Sequence, residues 1–234
     1  MNRLSGLSVS LMAALAMLLV AALAAGPASA QEEFPPPSDG KAPLVVVFSG
    51  ATGSGNYRVI AGRIAALGYD VALFDSNTLT PSREVSAVGA AVKEAIAKAR
   101  RLPNALPGKV GVVGFSKGGG LALGFTSMWA DEVAVVAAWY PETSPFKDAA
   151  AFAGRLRVPV VMFAGTADEY KFCCMIDKAR ELAAAAKAAN RPFELTAYPG
   201  VRHGFSFASS EYNAPATDDA LAKTAAALKQ YLGR

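Results

Sequence analysis

The stretch Gly111-Val-Val-Gly-Phe-Ser-Lys-Gly-Gly-Gly-Leu121 is the part of the sequence on which the fold depends. Its apolar, β-branched first half predicts a buried strand, and its second half predicts the start of a helix. Ser116 lies between them in the pattern Gly-x-Ser-x-Gly, which is typical of a serine exposed on a sharp strand-to-helix turn. The glycines two residues before and after the serine leave the space that such a turn needs. This serine is either a nucleophile or a helix cap, and residues elsewhere in the chain must decide between the two.

The first thirty residues differ in composition from the rest of the chain. One arginine precedes an almost wholly apolar run over residues 7–25, and small residues ending in Ala28-Ser-Ala30 follow it. This pattern predicts a secretory signal peptide over residues 1–30 that is cleaved after Ala30. We therefore expect a secreted or periplasmic protein that keeps no stable membrane span. Because the apolar run is nearly long enough to cross a bilayer, an uncleaved anchor is the alternative.

The rest of the chain is long enough for one domain. Of the 234 residues, 31–41 are rich in proline, serine and acidic residues and are expected to form a leader, and 42–234 are expected to form the domain. The formal net charge is +4, and the densest basic group, between Lys93 and Arg101, is expected on a solvated helix face. Aromatic residues do not alternate with these cations, so we expect no nucleic-acid partner.

The chain contains two cysteines and one histidine, which are too few for a Cys/His metal site, so no metal is expected. Export would place the adjacent Cys173 and Cys174 in an oxidising compartment. A bond between neighbouring cysteines is strained, however, and cannot belong to a conventional disulfide framework. We therefore expect two buried thiols, with a vicinal or intermolecular disulfide as the alternative.

Short apolar runs alternate with helix-like segments from residue 44 to the end of the chain. Six runs predict strands: 44–48, 71–74, 110–113, 133–139, 158–163 and 193–198. This alternation predicts an α/β fold with a mostly parallel sheet of about six strands and helices on both faces. Residues 141–153 are expected to be irregular or partly helical, as in a small cap. In such sheets the chemistry gathers in the loops at the carboxyl ends of the strands.

Two of these loops carry the partners that a nucleophilic serine needs. His203, the single histidine, follows the last strand and is the candidate base for Ser116. Asp168 follows the preceding strand and is the candidate for the carboxylate that orients the imidazole. It could instead cap the next helix, and Glu169 or Glu142 could then take its place. The order serine, aspartate, histidine is that of α/β-hydrolases.

A serine hydrolase also needs two N–H donors for the oxyanion that forms during attack on a carbonyl. The backbone N–H of Lys117, next to the nucleophile, is the first candidate. The loop after the first strand supplies the second, with Ala51 preferred and Thr52 next. Three aromatic residues are candidates for pocket walls, and each could equally belong to the core: Tyr140, Phe172 and Phe205.

Three motifs of the chain resemble the dienelactone hydrolase family: Gly114-Phe-Ser-Lys-Gly-Gly119, Ala164-Gly-Thr-Ala-Asp168 and Tyr198-Pro-Gly-Val-Arg-His-Gly-Phe205. The resemblance covers nearly all of residues 42–234 and implies an α/β-hydrolase fold and carboxylic ester hydrolysis. It also implies Ser116 as nucleophile, Asp168 as acid and His203 as base. The founding type of the family has a cysteine nucleophile and an arginine shortly after the histidine, and this chain has neither. Its leader also looks too short for the antiparallel strands that usually begin the sheet.

The sequence thus predicts an exported serine hydrolase that cleaves a small-molecule ester or lactone through an acyl-enzyme, without a cofactor. A catalytically inactive, secreted binding protein on the same scaffold is the first alternative. A dinucleotide-binding oxidoreductase is the second, because a glycine-rich loop, Gly50-Ala-Thr-Gly-Ser-Gly55, follows the first strand. Its spacing is Gly-x-x-Gly-x-Gly, whereas dinucleotide-binding loops have Gly-x-Gly-x-x-Gly.

Overall fold

The computed structural model describes residues 31–233, which form a seven-stranded sheet covered by helices. The predicted signal peptide at residues 1–30 lies outside the described residues. The strands are β1 (Gln31–Phe34), β2 (Leu44–Phe48), β3 (Asp70–Phe74), β4 (Val110–Phe115), β5 (Val133–Trp139), β6 (Val160–Gly165) and β7 (Phe193–Tyr198). Their order across the sheet is β1-β3-β2-β4-β5-β6-β7. All neighbouring pairs are parallel except β1 and β3.

Helices lie on both faces of this sheet. They are α1 (Arg58–Ala65), α2 (Val85–Ala99), α3 (Lys117–Gly124), α4 (Ala149–Arg155), α5 (Ile176–Ala188) and α6 (Ala214–Leu232). Neighbouring residues of a strand point to opposite faces, so Val46 joins a core with α2 to α5, and Val47 joins a second core with α1 and α6. Both faces are covered, which explains the continuous apolar runs of the central strands. The predicted α/β-hydrolase fold is confirmed.

The sheet has one strand more than the sequence predicts. Gln31–Phe34, expected as part of a leader, pairs antiparallel with β3, so the segment before Leu44 is long enough for a starting strand. An edge strand has only one neighbour and one partly covered face, and it therefore lacks the apolar run that marks a central strand. Here Phe34 packs on the core, whereas Glu32 forms an ion pair with Arg58 at 2.5 Å.

Residues 141–153 are partly helical, as expected, but they belong to the helical layer and not to a separate cap. Their second half forms α4, which begins after Asp148, whose carboxylate accepts a hydrogen bond from Ala151 N at 2.8 Å. Phe152 of this helix is buried, and its ring lies 4.9 Å from that of Phe146 and 6.4 Å from that of Phe193. The segment therefore contributes core side chains, which its short, alanine-rich pattern did not indicate.

The strand order places the candidate residues at one edge of the sheet. β4 is the central strand, with β2 on one side and β5, β6 and β7 on the other. The loops after β2, β4, β6 and β7 therefore open at the same edge, because these strands are parallel. Among residues 31–233, no helix is both long enough and apolar enough to span a membrane.

Candidate active site

Ser116 lies on the turn between β4 and α3 in a backbone conformation that is rare for a side-chain-bearing residue, with φ 50° and ψ −114°. The neighbouring glycines make this turn possible. A Cβ on Gly114 would lie 2.4 Å from the carbonyl oxygen of Gly118, and one on Gly118 would lie 2.4 Å from that of Ser49. The turn is held by hydrogen bonds from Ser116 N to Trp139 O at 2.9 Å and from Gly118 N to Ser49 O at 3.1 Å.

The structure brings Ser116, His203 and Asp168 together in one hydrogen-bonded line. His203 Nε2 lies 2.9 Å from Ser116 Oγ, and His203 Nδ1 lies 2.7 Å from Asp168 Oδ2. The Asp168 side chain is fully buried, and that of His203 is 14% exposed. The other oxygen of Asp168 accepts a hydrogen bond from Tyr170 N at 3.1 Å, which fixes the carboxylate. This geometry allows the imidazole to take the serine proton while the carboxylate holds the ring.

The loops that carry Asp168 and His203 are joined to each other by hydrogen bonds and close backbone packing. Ala167 N donates to Val201 O at 3.1 Å, and Gly200 N donates to Thr166 Oγ1 at 2.8 Å. Gly165 approaches so closely that a Cβ there would lie 2.1 Å from Val201 O. These contacts position the two side chains before any substrate binds. Of the three acids named from the sequence, Asp168 is the one that hydrogen-bonds the histidine.

The two predicted oxyanion donors both lie close to Ser116, Lys117 directly after it in the chain and Ala51 directly after Gly50, which contacts it. The backbone N–H groups of Lys117 and Ala51 have no acceptor within residues 31–233. Gly50, just before Ala51, lies against the nucleophile, since a Cβ there would be 3.3 Å from the Cβ of Ser116. An oxyanion hole requires such unpaired N–H groups, and the assignment of these two stays a prediction. Thr52 N–H is equally without an acceptor in the described chain, so both loop candidates stay open.

Asn77 joins the two parts of this region and was not anticipated from the sequence. Its Nδ2 donates to Ala51 O at 3.1 Å, and its Oδ1 accepts from Lys117 Nζ at 3.1 Å. The lysine side chain thus ties the start of α3 to the loop after β3. Asn77 follows the second predicted strand in a turn of polar residues, and only its position at the shared sheet edge distinguishes it from an ordinary loop asparagine.

Aromatic rings enclose the histidine on two sides. The Tyr170 ring stacks on that of His203, with centroids 4.5 Å apart and an interplanar angle of 6°. The Tyr140 ring meets His203 edge-on at 5.0 Å and 72°. Phe205 is buried behind Tyr140, whereas Phe172 is 79% exposed. Of the predicted walls, Tyr140 alone contacts the histidine ring, and the sequence did not single out Tyr170.

Two buried phenols lie beneath the site. The Tyr140 hydroxyl and Ser206 Oγ are hydrogen-bonded at 2.5 Å. The Tyr57 hydroxyl lies under Gly50, at 2.2 Å from the position a Cβ would take there. Burial raises the pKa of the Tyr57 phenol and raises that of Tyr140 well above its usual range. Both phenols are therefore neutral at physiological pH and place no negative charge beneath the oxyanion region.

Cys173 and Cys174 form a disulfide, so the expected pair of thiols is wrong, and the vicinal bridge is the alternative that the structure adopts. Adjacent residues are already close, so this bond needs no loop closure. Within residues 31–233, one group of three potential metal ligands is present, formed by Asp168, His203 and Cys174, with ligand atoms within 4.8 Å of one another. The cysteine sulfur of this group belongs to the disulfide.

Two clefts are lined by residues of the candidate site or its neighbours. One of about 250 Å³ lies against His203 and is lined by Ala167, Glu169, Tyr170, Arg202, His203 and Glu211. The other, of about 400 Å³, lies along α3 on the side of Lys117 and Gly120. Its lining combines apolar side chains with three basic ones and one acidic one: Val85, Val88, Leu121, Phe125 and Phe146, with Arg83, Lys117, Arg155 and Glu142. The lining of the larger cleft is thus mainly apolar, and its charged side chains are mostly cationic.

Comparison with known proteins identifies the family and agrees with the fold. The sequence model of the dienelactone hydrolase family matches residues 73–232. No curated protein matches the sequence significantly. Among solved structures, a Klebsiella pneumoniae protein provisionally assigned as a dienelactone hydrolase aligns with a TM-score of 0.70 and 19% identity, over 87% of this chain and 98% of its own.

Two esterase-like structures align comparably. The esterase Est2 of the planctomycete Thermogutta terrifontis, with propionate bound, has a TM-score of 0.65 and 21% identity, over 86% of this chain and 88% of its own. The dienelactone hydrolase-like promiscuous phosphotriesterase P91, from metagenomic libraries, has a TM-score of 0.67 and 16% identity, over 83% and 88%. At these identities the solved structures establish the shared fold.

Proposed function

The chain belongs to the dienelactone hydrolase family, and on this premise we propose that it is an exported serine hydrolase acting on a small carboxylic ester or lactone. Its class as a carboxylic ester hydrolase follows from the family. The mechanism rests on one observation: the unbroken line of hydrogen bonds from Ser116 through His203 to Asp168. An inactive binding protein would not need all three residues in this geometry.

In the proposed first step, His203 Nε2 takes the Ser116 hydroxyl proton as Oγ attacks the substrate carbonyl. The contact of 2.9 Å between these atoms is within the range for direct proton transfer. Asp168 stabilises the imidazolium that forms, because its buried carboxylate already accepts from Nδ1. The backbone N–H groups of Lys117 and Ala51 receive the carbonyl oxygen as it becomes negative.

Collapse of this tetrahedral intermediate expels the alcohol, which takes its proton from His203 and leaves an acyl group on Ser116. Water then attacks the acyl-enzyme, with His203 again acting as base, and the carboxylic acid is released. The side chains supply every proton transfer in this sequence, so no cofactor enters it. For a lactone, alcohol and acid remain in one opened molecule.

The larger cleft supports the assignment of a small substrate. It begins at Lys117 and Gly120, within one helical turn of the nucleophile, and is about 400 Å³ in volume. We place the apolar part of the substrate against its apolar side chains, which include Leu121 and Phe146. A series of p-nitrophenyl esters of increasing chain length tests this placement. We expect kcat/KM to rise with short acyl chains and fall once the chain exceeds the cleft.

Export is proposed from the sequence of residues 1–30 and is supported by the Cys173–Cys174 disulfide, since disulfides persist in oxidising compartments. Expression of the full chain followed by cell fractionation and intact-mass measurement tests it. We expect a soluble periplasmic or secreted protein that begins at Gln31. A membrane-bound protein of full length would instead establish the uncleaved anchor.

A fluorophosphonate probe tests the hydrolase directly. It should add once to the folded protein at Ser116, and labelling should be lost in Ser116→Ala and greatly slowed in His203→Ala. Ser210→Ala, which changes an exposed serine, is the matched control and should label normally. Removing the base should lower kcat by about 10⁴-fold or more. Folded protein that neither labels nor hydrolyses any ester would instead support the inactive binding protein.

A further inference from the structure

The vicinal disulfide lies directly beside the hydrogen-bonded line of the active site. Cys174 Sγ, a carboxylate oxygen of Asp168 and a ring nitrogen of His203 all lie within 4.8 Å of one another. The Cys174 residue is only 3% exposed, so its sulfur is a buried neighbour of the two residues that serve the nucleophile. The proposed reaction uses neither cysteine, which leaves the placement of this sulfur without a role in hydrolysis.

Reduction would change the chemistry of that sulfur completely. A disulfide sulfur is a weak ligand, whereas a thiolate is among the strongest ligands for zinc in proteins. Cysteine, histidine and aspartate are the three side-chain types that Zn²⁺ uses, and three protein ligands leave its fourth position open. We propose that reduction of the Cys173–Cys174 disulfide turns Asp168, His203 and Cys174 into a site for a zinc-like divalent ion, which switches the hydrolase off.

The reductive step begins at the more accessible sulfur. Cys173 is partly exposed and follows the highly exposed Phe172, whereas Cys174 is buried. One thiolate of an external dithiol attacks Cys173 Sγ, the Sγ–Sγ bond breaks, and Cys174 leaves as a thiolate. The second thiol of the reductant then attacks the mixed disulfide and releases Cys173. The two electrons come from the dithiol, which leaves as its own disulfide, and its two protons end on the cysteines.

The surroundings hold the three ligands in place after this bond is broken. The carbonyl oxygen of Cys173 accepts hydrogen bonds from Thr143 N at 2.8 Å and Ser144 N at 3.0 Å, and these do not involve sulfur. Asp168 keeps its hydrogen bond from Tyr170 N, and the Tyr170 ring stays stacked on His203. The ligand atoms therefore need only small side-chain rotations to bind one ion, and the Cys174 thiol proton passes to water.

A bound ion would stop hydrolysis through the histidine. An ion on His203 Nε2 would block the atom that takes the Ser116 proton, and an ion on Nδ1 would leave Nε2 protonated and unable to accept that proton. In either case the Asp168 carboxylate would serve the ion in place of the imidazolium. The disulfide thus keeps the base available in an oxidising compartment. In a reducing environment that contains zinc, the same residues would hold the enzyme inactive.

The test compares two single variants of the full chain, purified after processing, that both lose the disulfide but keep different sulfurs. Cys173→Ser retains the Cys174 thiol, which lies beside Asp168 and His203. Cys174→Ser retains only the Cys173 thiol, which is not part of that group. Wild-type protein is studied as isolated and after reduction with dithiothreitol, which is then removed by gel filtration under argon. Each sample is titrated with Zn²⁺ against esterase activity, and with Co²⁺ while its absorption spectrum is recorded.

We expect reduced wild type and Cys173→Ser to bind one Co²⁺ with a thiolate-to-metal charge-transfer band, and to lose activity about tenfold or more once Zn²⁺ exceeds the protein. Chelation of the ion should restore activity. Oxidised wild type and Cys174→Ser should show neither effect. Because the Co²⁺ spectrum does not depend on turnover, it reports on the site even if the protein hydrolyses no ester. Equal Co²⁺ spectra for the two variants, or no thiolate band in reduced protein, would overturn the proposal.

Discussion

Asp70 is a buried carboxylate far from the candidate active site, and it should dominate the pH dependence of stability. It is the first residue of β3 and is fully buried. Neither of its oxygens makes a hydrogen bond of good geometry within residues 31–233, and the nearby Val71 N–H only partly offsets the loss of water. Burial, together with the negative charge of Glu33, raises the pKa of Asp70 to about 6, from an ordinary value of 3.8.

This shift has a definite sign. The folded protein binds the Asp70 proton more tightly than the unfolded chain does, so the free energy of unfolding falls as pH rises from about 4 to about 6. The difference between the two pKa values corresponds to about 3 kcal/mol at most, since one pKa unit is 1.36 kcal/mol. Above pH 6 the folded protein carries the full cost of the ionised carboxylate. Asp70→Asn has no proton to lose and keeps nearly the same shape.

Urea unfolding of wild type and Asp70→Asn between pH 4.5 and 7.5 measures the effect. The stability of the variant relative to wild type should rise with pH by about 2 kcal/mol over this range, since part of the full difference is already lost at pH 4.5. Asp39→Asn, which removes an exposed carboxylate, controls for the loss of one negative charge. Glu33→Gln should reduce the change in relative stability with pH, because it removes the negative charge near Asp70 that helps to raise its pKa. A relative stability of Asp70→Asn that does not change with pH would refute this reasoning.

Three further predictions follow from the contacts at the site. Asn77→Ala should lower kcat by about tenfold, because it removes the two exposed hydrogen bonds that join the predicted oxyanion elements, together worth about 1.4 kcal/mol. Stability measured by thermal unfolding should change little. Tyr170→Phe keeps the ring stacked on His203 and should retain nearly full esterase activity. Tyr170→Ala removes that ring and should lose about two- to tenfold in kcat. Equal losses of kcat in the two variants would contradict a role for stacking. Gly114→Ala should yield little soluble protein or a strongly lowered melting temperature, because its Cβ would lie 2.4 Å from a carbonyl oxygen. The control Gly124→Ala should fold normally, because the nearest atom to its Cβ would be 3.7 Å away.

Much of the fold could be predicted because the central strands and the turn at Ser116 have local causes. A parallel strand covered on both faces needs a continuous apolar run, and a sharp turn between strand and helix needs glycines at fixed spacing. The edge strand Gln31–Phe34 has neither requirement, so its pairing with β3 could not be seen in the sequence. The burial of Asp70 was missed for a similar reason, since the residue looks like an ordinary polar residue before a strand.

The candidate site, like the fold, could be predicted from the sequence only in part. The residue types and their order along the chain were determined by the sequence, because each lies directly after its own strand. The contacts between these side chains were not determined by the sequence pattern, since Ser116 and His203 are 87 positions apart and Asp168 and His203 are 35 positions apart. Strand order decides which of these loops meet. The stacking of Tyr170, the bridge made by Asn77 and the nearness of Cys174 to the histidine depend on that order, and a local pattern carries no information about neighbours that arrive from other strands.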